Sequence, residues 1–321
     1  MILSPAGLRS AAANVTAKLL YGQVADLRRT PADRIEGTSR SPVYRYRPPE
    51  GLVPAGPPVL FVPSPGAPAR CYDLRRGGSL AEHVVGAGRL TYLLDHRRAG
   101  PPDPGEALAE WVGEILPSAV RRVSDDAGGQ PVQLVGWCLG GVLALLSAAV
   151  DPGLPIASVA AIAPVTVDRR TAVLPTLTGG LLRTTAVLAR IDDRDHLAHL
   201  EAVDHFAATS AVHPGRGLNE TYAAHIQDIG LPGALHRVAV PVLAIAGSGD
   251  RAAPAKAVRA LTLRLRSAPQ VRFEIAPGDH LGVLTGRAAR ATTWAHLDRW
   301  LDEGIIRHGI RPHRREVAAG L

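Results

Sequence analysis

Short hydrophobic runs recur along the chain and alternate with longer stretches in which apolar residues have helical spacing. Residues 59–62 form an uninterrupted apolar run, which is typical of a strand buried on both faces. The same pattern predicts buried strands at residues 90–94, 132–135, 159–162, 242–245 and 271–275. Residues 43–47 instead alternate polar and apolar side chains, which predicts a strand with one face toward water.

Helix-period stretches separate these strands. They are predicted at residues 79–85, 105–123, 139–149, 255–266 and 287–301. Strands alternating with helices predict an α/β fold with a doubly wound, mostly parallel sheet covered on both faces. Residues 165–239 break this rhythm and predict an inserted cap over the carboxyl edge of the sheet. We therefore expect an N-terminal helical and linker segment over residues 1–40, a core over 41–304 and a basic tail over 305–321.

Composition narrows the function classes. The net charge is +7, but arginine supplies most of it and is scattered; the one cluster lies near the end, at Arg307, Arg311, Arg314 and Arg315. A nucleic-acid binder concentrates basic residues on one face, so we expect no nucleic-acid partner. We expect no signal peptide, and the longest apolar run, residues 142–150, is too short to span a bilayer. With only Cys71 and Cys138, no disulfide framework is expected, and a cytoplasmic location is the default.

A glycine-flanked cysteine stands at the junction of a predicted strand and a predicted helix, in the sequence Gly136-Trp137-Cys138-Leu139-Gly140. This strand–turn–helix context is that of the nucleophile elbow of the α/β-hydrolase fold, with cysteine in place of serine. The backbone N–H of Leu139 is expected to stabilise an oxyanion, with a second donor from Ser64 or Gly66, because the neighbouring Pro63 and Pro65 have no N–H. The alternative to a catalytic role is that Cys138 is a buried structural cysteine in an ordinary tight turn.

An acid and a base follow the nucleophile in the order that this fold requires. Asp250 lies in a glycine-rich loop after the strand at 242–245, and His280 follows the strand at 271–275. We expect His280 to deprotonate Cys138 and Asp250 to fix the tautomer of His280. Two alternatives stay open: Asp250 could only cap the following helix, and Asp279 adjoins the base. The other histidines of the cap region, His196, His199, His205, His213 and His225, are irregularly spaced and give no metal signature; no metal and no cofactor are expected.

Further segments accompany the elbow in a familiar combination: Thr30-Pro31-Ala32-Asp33, Val43-Tyr44-Arg45-Tyr46, Tyr72-Asp73-Leu74, Tyr92-Leu93-Leu94-Asp95, Gly249-Asp250 and Gly278-Asp279-His280-Leu281-Gly282-Val283. With them the chain resembles the polyhydroxyalkanoate synthases, especially the short class III catalytic subunit, over residues 30–300. The resemblance implies acyl transfer from a hydroxyacyl-CoA thioester, through a thioester on Cys138, to a hydroxyl acceptor. It leaves open a homodimer, a second subunit and an association with polyester granules.

Two other functions are possible for this sequence, one catalytic and one not. A thioesterase, esterase or polyester depolymerase would transfer the acyl group to water with the same three side chains. A non-catalytic interaction module is the third alternative, and the intact set of Cys138, Asp250 and His280 argues against it.

Overall fold

A single mixed sheet forms the centre of the computed structural model, which describes residues 4–35, 41–65, 67–95, 108–165, 187–209 and 231–307. Its strands are β1 (Ala32–Arg34), β2 (Val43–Tyr46), β3 (Val59–Val62), β4 (Thr91–Leu94), β5 (Val132–Trp137), β6 (Ile156–Ile162), β7 (Val242–Gly247) and β8 (Val271–Ala276). They are ordered β1-β2-β4-β3-β5-β6-β7-β8. The β1–β2 and β2–β4 pairs are antiparallel and all later pairs are parallel, as the sequence predicts.

The helices cover both faces of this sheet. They are α1 (Pro5–Tyr21), α2 (Leu80–Gly86), α3 (Leu116–Asp126), α4 (Leu139–Val150), α5 (Arg194–Thr209), α6 (Leu231–Ala234), α7 (Ala255–Thr262), α8 (Gly282–Thr285), α9 (Arg287–Ala291) and α10 (Thr293–Arg307). One apolar layer joins the sheet to α3 and α4, and the other joins it to α2 and α10. Neighbouring residues of β5, Leu134 and Val135, belong to opposite layers because side chains alternate along a strand.

The strand order reverses between β3 and β5. From β3 the chain passes to β4 on one side, and it returns to add β5 on the other side. In open α/β sheets, a ligand crevice lies outside the carboxyl ends of the strands at such a switch point. The segments directly after Val62 and Trp137 therefore flank the expected crevice.

The last strand differs from its prediction. Residues 271–275 were expected to be buried on both faces, which is wrong: Val271 is 39% exposed and Ile275 is 53% exposed. The reason is position, because in the described part of the chain β8 lies at the edge of the sheet and pairs with β7 alone. At the other edge, β1 pairs with β2, so the sheet begins inside the segment expected to be a linker.

Only parts of the expected cap fall within the described residues. Helix α5 packs on the α2/α10 side of the core through Ala202 and Phe206. Asp195 in its first turn accepts a 2.5 Å hydrogen bond from the buried Arg75 guanidinium. The cap itself stays a prediction, and His213, His225, Arg311, Arg314 and Arg315 lie outside the described residues.

Candidate active site

The turn between β5 and α4 holds Cys138 in a strained backbone conformation. Its φ is 58° and its ψ is −128°, values that non-glycine residues seldom adopt and that are found at functional sites. Cys138 is half-buried, whereas Trp137 before it and Leu139 after it are buried. Cys138 packs against both apolar layers of the core at this turn.

Two glycines make the sharp turn sterically feasible. A Cβ on Gly136 would lie 2.5 Å from the backbone nitrogen of Gly141, and a Cβ on Gly140 would collide with the backbone carbonyl of Val62. A Cβ on Gly141 would lie 3.1 Å from the side chain of Ala161 on β6. Because backbone atoms cannot move aside as a flexible side chain can, the first two positions exclude every residue except glycine.

The loops after β7 and β8 bring Asp250 and His280 together, although the two are 30 residues apart. The distance between His280 Nδ1 and Asp250 Oδ2 is 2.8 Å, and both residues are buried. Gly278 permits the approach of the second loop, because its φ is 134° and a Cβ there would lie 2.5 Å from the backbone nitrogen of Val283.

Asp250 and Asp279, the two aspartates that could pair with His280, have different contacts in the structure. The second oxygen of Asp250, Oδ1, accepts 2.8 Å hydrogen bonds from the backbone N–H groups of Ala252 and Ala253, so this residue both caps its loop and holds His280. Asp279 is exposed and accepts a 2.7 Å bond from the N–H of Gly282. It therefore serves the turn, and His280 pairs with Asp250.

Electrostatics favour a charged pair at this position. Burial would raise the pKa of Asp250, but the hydrogen bond and charge of His280 and the two backbone N–H groups lower it. Burial would lower the pKa of His280, but the negative charges of Cys138 and Asp250 and the hydrogen bonds to both side chains raise it to about 10. Asp250 is thus ionised at neutral pH, and the protonated form of His280 is stabilised next to Cys138.

The second ring nitrogen of His280 is free to move a proton. Nε2 is buried, and the side chain with which it interacts among the described residues is that of Cys138. Because Nδ1 is held by Asp250, Nε2 is the atom that can exchange a proton with the Cys138 thiol or with a substrate.

The predicted backbone donors for an oxyanion follow β3 and β5, on the two sides of the switch point. Leu139 is the first residue of α4, so its N–H has no partner within the helix. Ser64, which follows β3, lies buried between two prolines. The N–H of Ala67 is already bound to the Ser64 carbonyl, and Gly66 lies outside the described residues. Among the described residues, Ser64 therefore stays the predicted donor on the β3 side.

The sequence interpretation missed the role of Trp137. Its indole Nε1–H donates a 2.8 Å hydrogen bond to the backbone carbonyl of His280, and its ring lies 5.1 Å from the imidazole. The residue directly before Cys138 thus supports the loop that carries His280. A tryptophan next to the elbow cysteine was the available signal, since a buried indole N–H needs an acceptor.

The second cysteine has a different environment. Cys71 is a free thiol that is 1% exposed, and burial together with the negative charge at Cys138 raises its pKa well above the ordinary value. A buried thiol with a raised pKa is unreactive at neutral pH.

The described helices include none with the length and apolar character that a membrane span requires.

Comparison with known proteins shows the family to which the chain belongs. The alpha/beta hydrolase family model matches residues 59–293, which is well over half of the sequence. The chain belongs to the alpha/beta hydrolase family. The sequence-based prediction of this fold is confirmed.

More specific relatives are polymer synthases. The chain is 23% identical to the poly(3-hydroxyalkanoate) polymerase subunit PhaC of Allochromatium vinosum, over 89% of this chain and 92% of that protein. The corresponding subunit of Thiocystis violacea is 22% identical with the same coverage. A solved monoacylglycerol lipase from Paleococcus ferrophilus superposes with a TM-score of 0.54 at 20% identity, covering 82% of this chain and 99% of that chain. The resemblance to polyhydroxyalkanoate synthases is confirmed, and the relatives support an enzyme of synthase or hydrolase type.

Proposed function

We propose that this protein is a cysteine-dependent acyltransferase that takes the acyl group of a hydroxyacyl-CoA thioester onto Cys138. The observation that carries the proposal is a strained, half-buried cysteine on an elbow, next to a buried His280–Asp250 pair. Thiolates attack thioesters readily, and the resulting enzyme thioester is close in energy to the substrate. A cysteine nucleophile therefore suits a reversible thioester donor.

In the first half-reaction, the thiol proton of Cys138 is held on His280 Nε2 as the ion pair that this site stabilises, and the Cys138 Sγ thiolate attacks the thioester carbonyl. The N–H groups of Leu139 and Ser64 bind the oxyanion of the tetrahedral intermediate. When the intermediate collapses, the carbon–sulfur bond to CoA breaks, and the CoA thiolate receives the proton from His280. The acyl group is then bound to Cys138.

In the second half-reaction, a hydroxyl acceptor replaces CoA. His280 Nε2 takes the proton of the acceptor hydroxyl, and the oxygen of that hydroxyl attacks the thioester carbonyl on Cys138. The Sγ–carbon bond breaks, the ester is released, and the proton returns to the Cys138 sulfur. Asp250 keeps Nδ1 protonated throughout, so that Nε2 is the atom that accepts and releases the proton. When the acceptor is the hydroxyl of a hydroxyacyl chain, the chain grows by one unit.

Product partition tests this proposal. The purified chain is incubated with 3-hydroxybutyryl-CoA, and released CoA, soluble 3-hydroxybutyrate and insoluble polyester are quantified by chromatography. We expect CoA release with polyester, loss of all products in Cys138→Ala and retention of products in the matched control Cys71→Ala. Free acid without polymer would identify a thioesterase and overturn the synthase proposal. Turnover retained in Cys138→Ala would overturn the site itself.

A further inference from the structure

A buried tyrosine hydroxyl lies between the ends of the two strands that flank the switch point. Tyr72 Oη donates a 2.7 Å hydrogen bond to the backbone carbonyl of Val62, at the end of β3, and accepts a 2.8 Å bond from the backbone N–H of Trp137, at the end of β5. The side chain is fully buried, and its ring stacks on Phe61 at 4.6 Å. The oxygen also lies 3.3 Å from the Val135 carbonyl, so backbone groups of both strands and one ring fix the hydroxyl in place.

The Tyr72 hydroxyl occupies the place of a rung, that is, of one backbone hydrogen bond between the paired strands β3 and β5. In the parallel β3–β5 pair, Gln133 N–H donates to the Pro58 carbonyl, and such rungs repeat every two residues. The register Val62↔Gly136 therefore places the last rung between the Trp137 N–H and the Val62 carbonyl. Tyr72 replaces that single bond by two bonds through its oxygen. The strands are consequently held apart at this level by one inserted hydroxyl.

The inserted hydroxyl adjoins both sides of the oxyanion site. Trp137 immediately precedes Cys138 and Leu139, and Val62 is two residues before Ser64. The first turn of α4 also packs here, because a Cβ on Gly140 would strike the carbonyls at the end of β3. The spacing between the Leu139 donor and the Ser64 donor depends on the separation of these two strand ends.

We propose that the Tyr72 hydroxyl sets the width of the oxyanion hole, which makes Tyr72 a positioning residue for acyl transfer. This inference rests on the proposed function. Without the hydroxyl, the strand ends either close to form the direct rung or leave a buried N–H and carbonyl unpaired. Both outcomes move one donor relative to the other, and displacements of about 1 Å in such sites cost on the order of 100-fold in rate.

The test compares two reactions of Cys138 in Tyr72→Phe. Acylation by 3-hydroxybutyryl-CoA and by p-nitrophenyl butyrate forms an oxyanion, whereas alkylation by iodoacetamide displaces iodide and forms none. We expect the acylation rate constant for both acyl donors to fall roughly 10- to 100-fold with little change in KM. The alkylation rate of Cys138, measured on its peptide as a function of pH, should be unchanged.

Tyr92→Phe is the matched control. Tyr92 is also a buried sheet residue, and its hydroxyl donates a 2.5 Å hydrogen bond to Asp126, away from the elbow. We expect Tyr92→Phe to leave both reactions unchanged. Equal losses of acylation and alkylation in Tyr72→Phe, or an acylation loss in Tyr92→Phe as large as in Tyr72→Phe, would show general disturbance and overturn the positioning role.

The two acyl donors separate this inference from the proposed function. A wild-type protein that is acylated at Cys138 by p-nitrophenyl butyrate but not by 3-hydroxybutyryl-CoA would refute the proposed substrate, while the Tyr72→Phe ratio on the ester would still decide the positioning role. No acylation by either donor would refute both. Unchanged acylation in Tyr72→Phe would refute the positioning role alone.

Discussion

Replacing Asp250 by asparagine tests the acid–base part of the site with a minimal change in shape. In the unsubstituted protein the N–H groups of Ala252 and Ala253 donate hydrogen bonds to Asp250 Oδ1. The side-chain oxygen of an asparagine can accept the same two hydrogen bonds. Its NH2 group then faces His280 Nδ1, where the carboxylate oxygen lies at 2.8 Å. Because two donors cannot pair, His280 must move its proton from Nδ1 to Nε2. In that tautomer Nε2 cannot take the Cys138 proton.

The size of the effect follows from the charge that is lost. Unit charges 2.8 Å apart interact by roughly 6 kcal/mol at an effective dielectric constant of 20. Both side chains are buried, so water recovers little of this energy, although the asparagine dipole recovers part of it. We expect about 4–5.5 kcal/mol of lost transition-state stabilisation, which corresponds to a 10³- to 10⁴-fold fall in kcat/KM for 3-hydroxybutyryl-CoA.

The neighbouring Asp279→Asn variant is the matched control. Asp279 is exposed and its Oδ1 accepts from the N–H of Gly282, a bond that asparagine can also make. CoA release measured over a range of substrate concentrations should be unchanged in this variant. A large loss in Asp279→Asn together with nearly full activity in Asp250→Asn would refute the assignment of the acid.

Three further predictions follow from the same geometry. Gly140→Ala should abolish acylation because its Cβ meets backbone carbonyls, whereas Gly113→Ala, where nothing lies within 4 Å, should be fully active in the CoA-release assay. Trp137→Phe removes the indole hydrogen bond to the His280 carbonyl, so kcat should fall on the order of 10-fold; an unchanged kcat would contradict the supporting role. The pKa of His280 is raised to about 10 in the folded state, so its contribution to the free energy of unfolding should be complete below about pH 6.5 and decline as the pH rises through 10. Cys138→Ala should flatten that decline in urea unfolding series, and an equally steep decline would count against the Cys138–His280 interaction.

Much of the site could be predicted because local sequence and sheet geometry act together. Glycines two residues before and after Cys138, between a strand and a helix, leave few alternatives to an elbow. Asp250 and His280 could be placed in the same region because the carboxyl ends of parallel strands meet at one edge of a sheet. The sequence left two aspartates as partners for His280, and only the loop conformations separate them.

What escaped prediction depends on contacts between distant residues. The exposure of β8 depends on its being the last strand of the sheet, and a local hydrophobic run carries no information about that. Tyr72 lies 65 residues from Trp137, and its hydrogen bond has no local signature. Likewise, the acceptor of the Trp137 indole is a backbone carbonyl 143 residues away. Side-chain bonds to a distant backbone are invisible to periodicity.

The covalent intermediate on Cys138 is the most direct test of the proposed chemistry. The protein is mixed with 3-hydroxybutyryl-CoA, quenched in acid within the first turnover, and analysed by intact-protein and peptide mass spectrometry. We predict an added mass of one or more 3-hydroxybutyryl units, located on the peptide that contains Cys138 and absent in Cys138→Ala. Release of CoA with no adduct in wild type and an equal rate in Cys138→Ala would contradict the account.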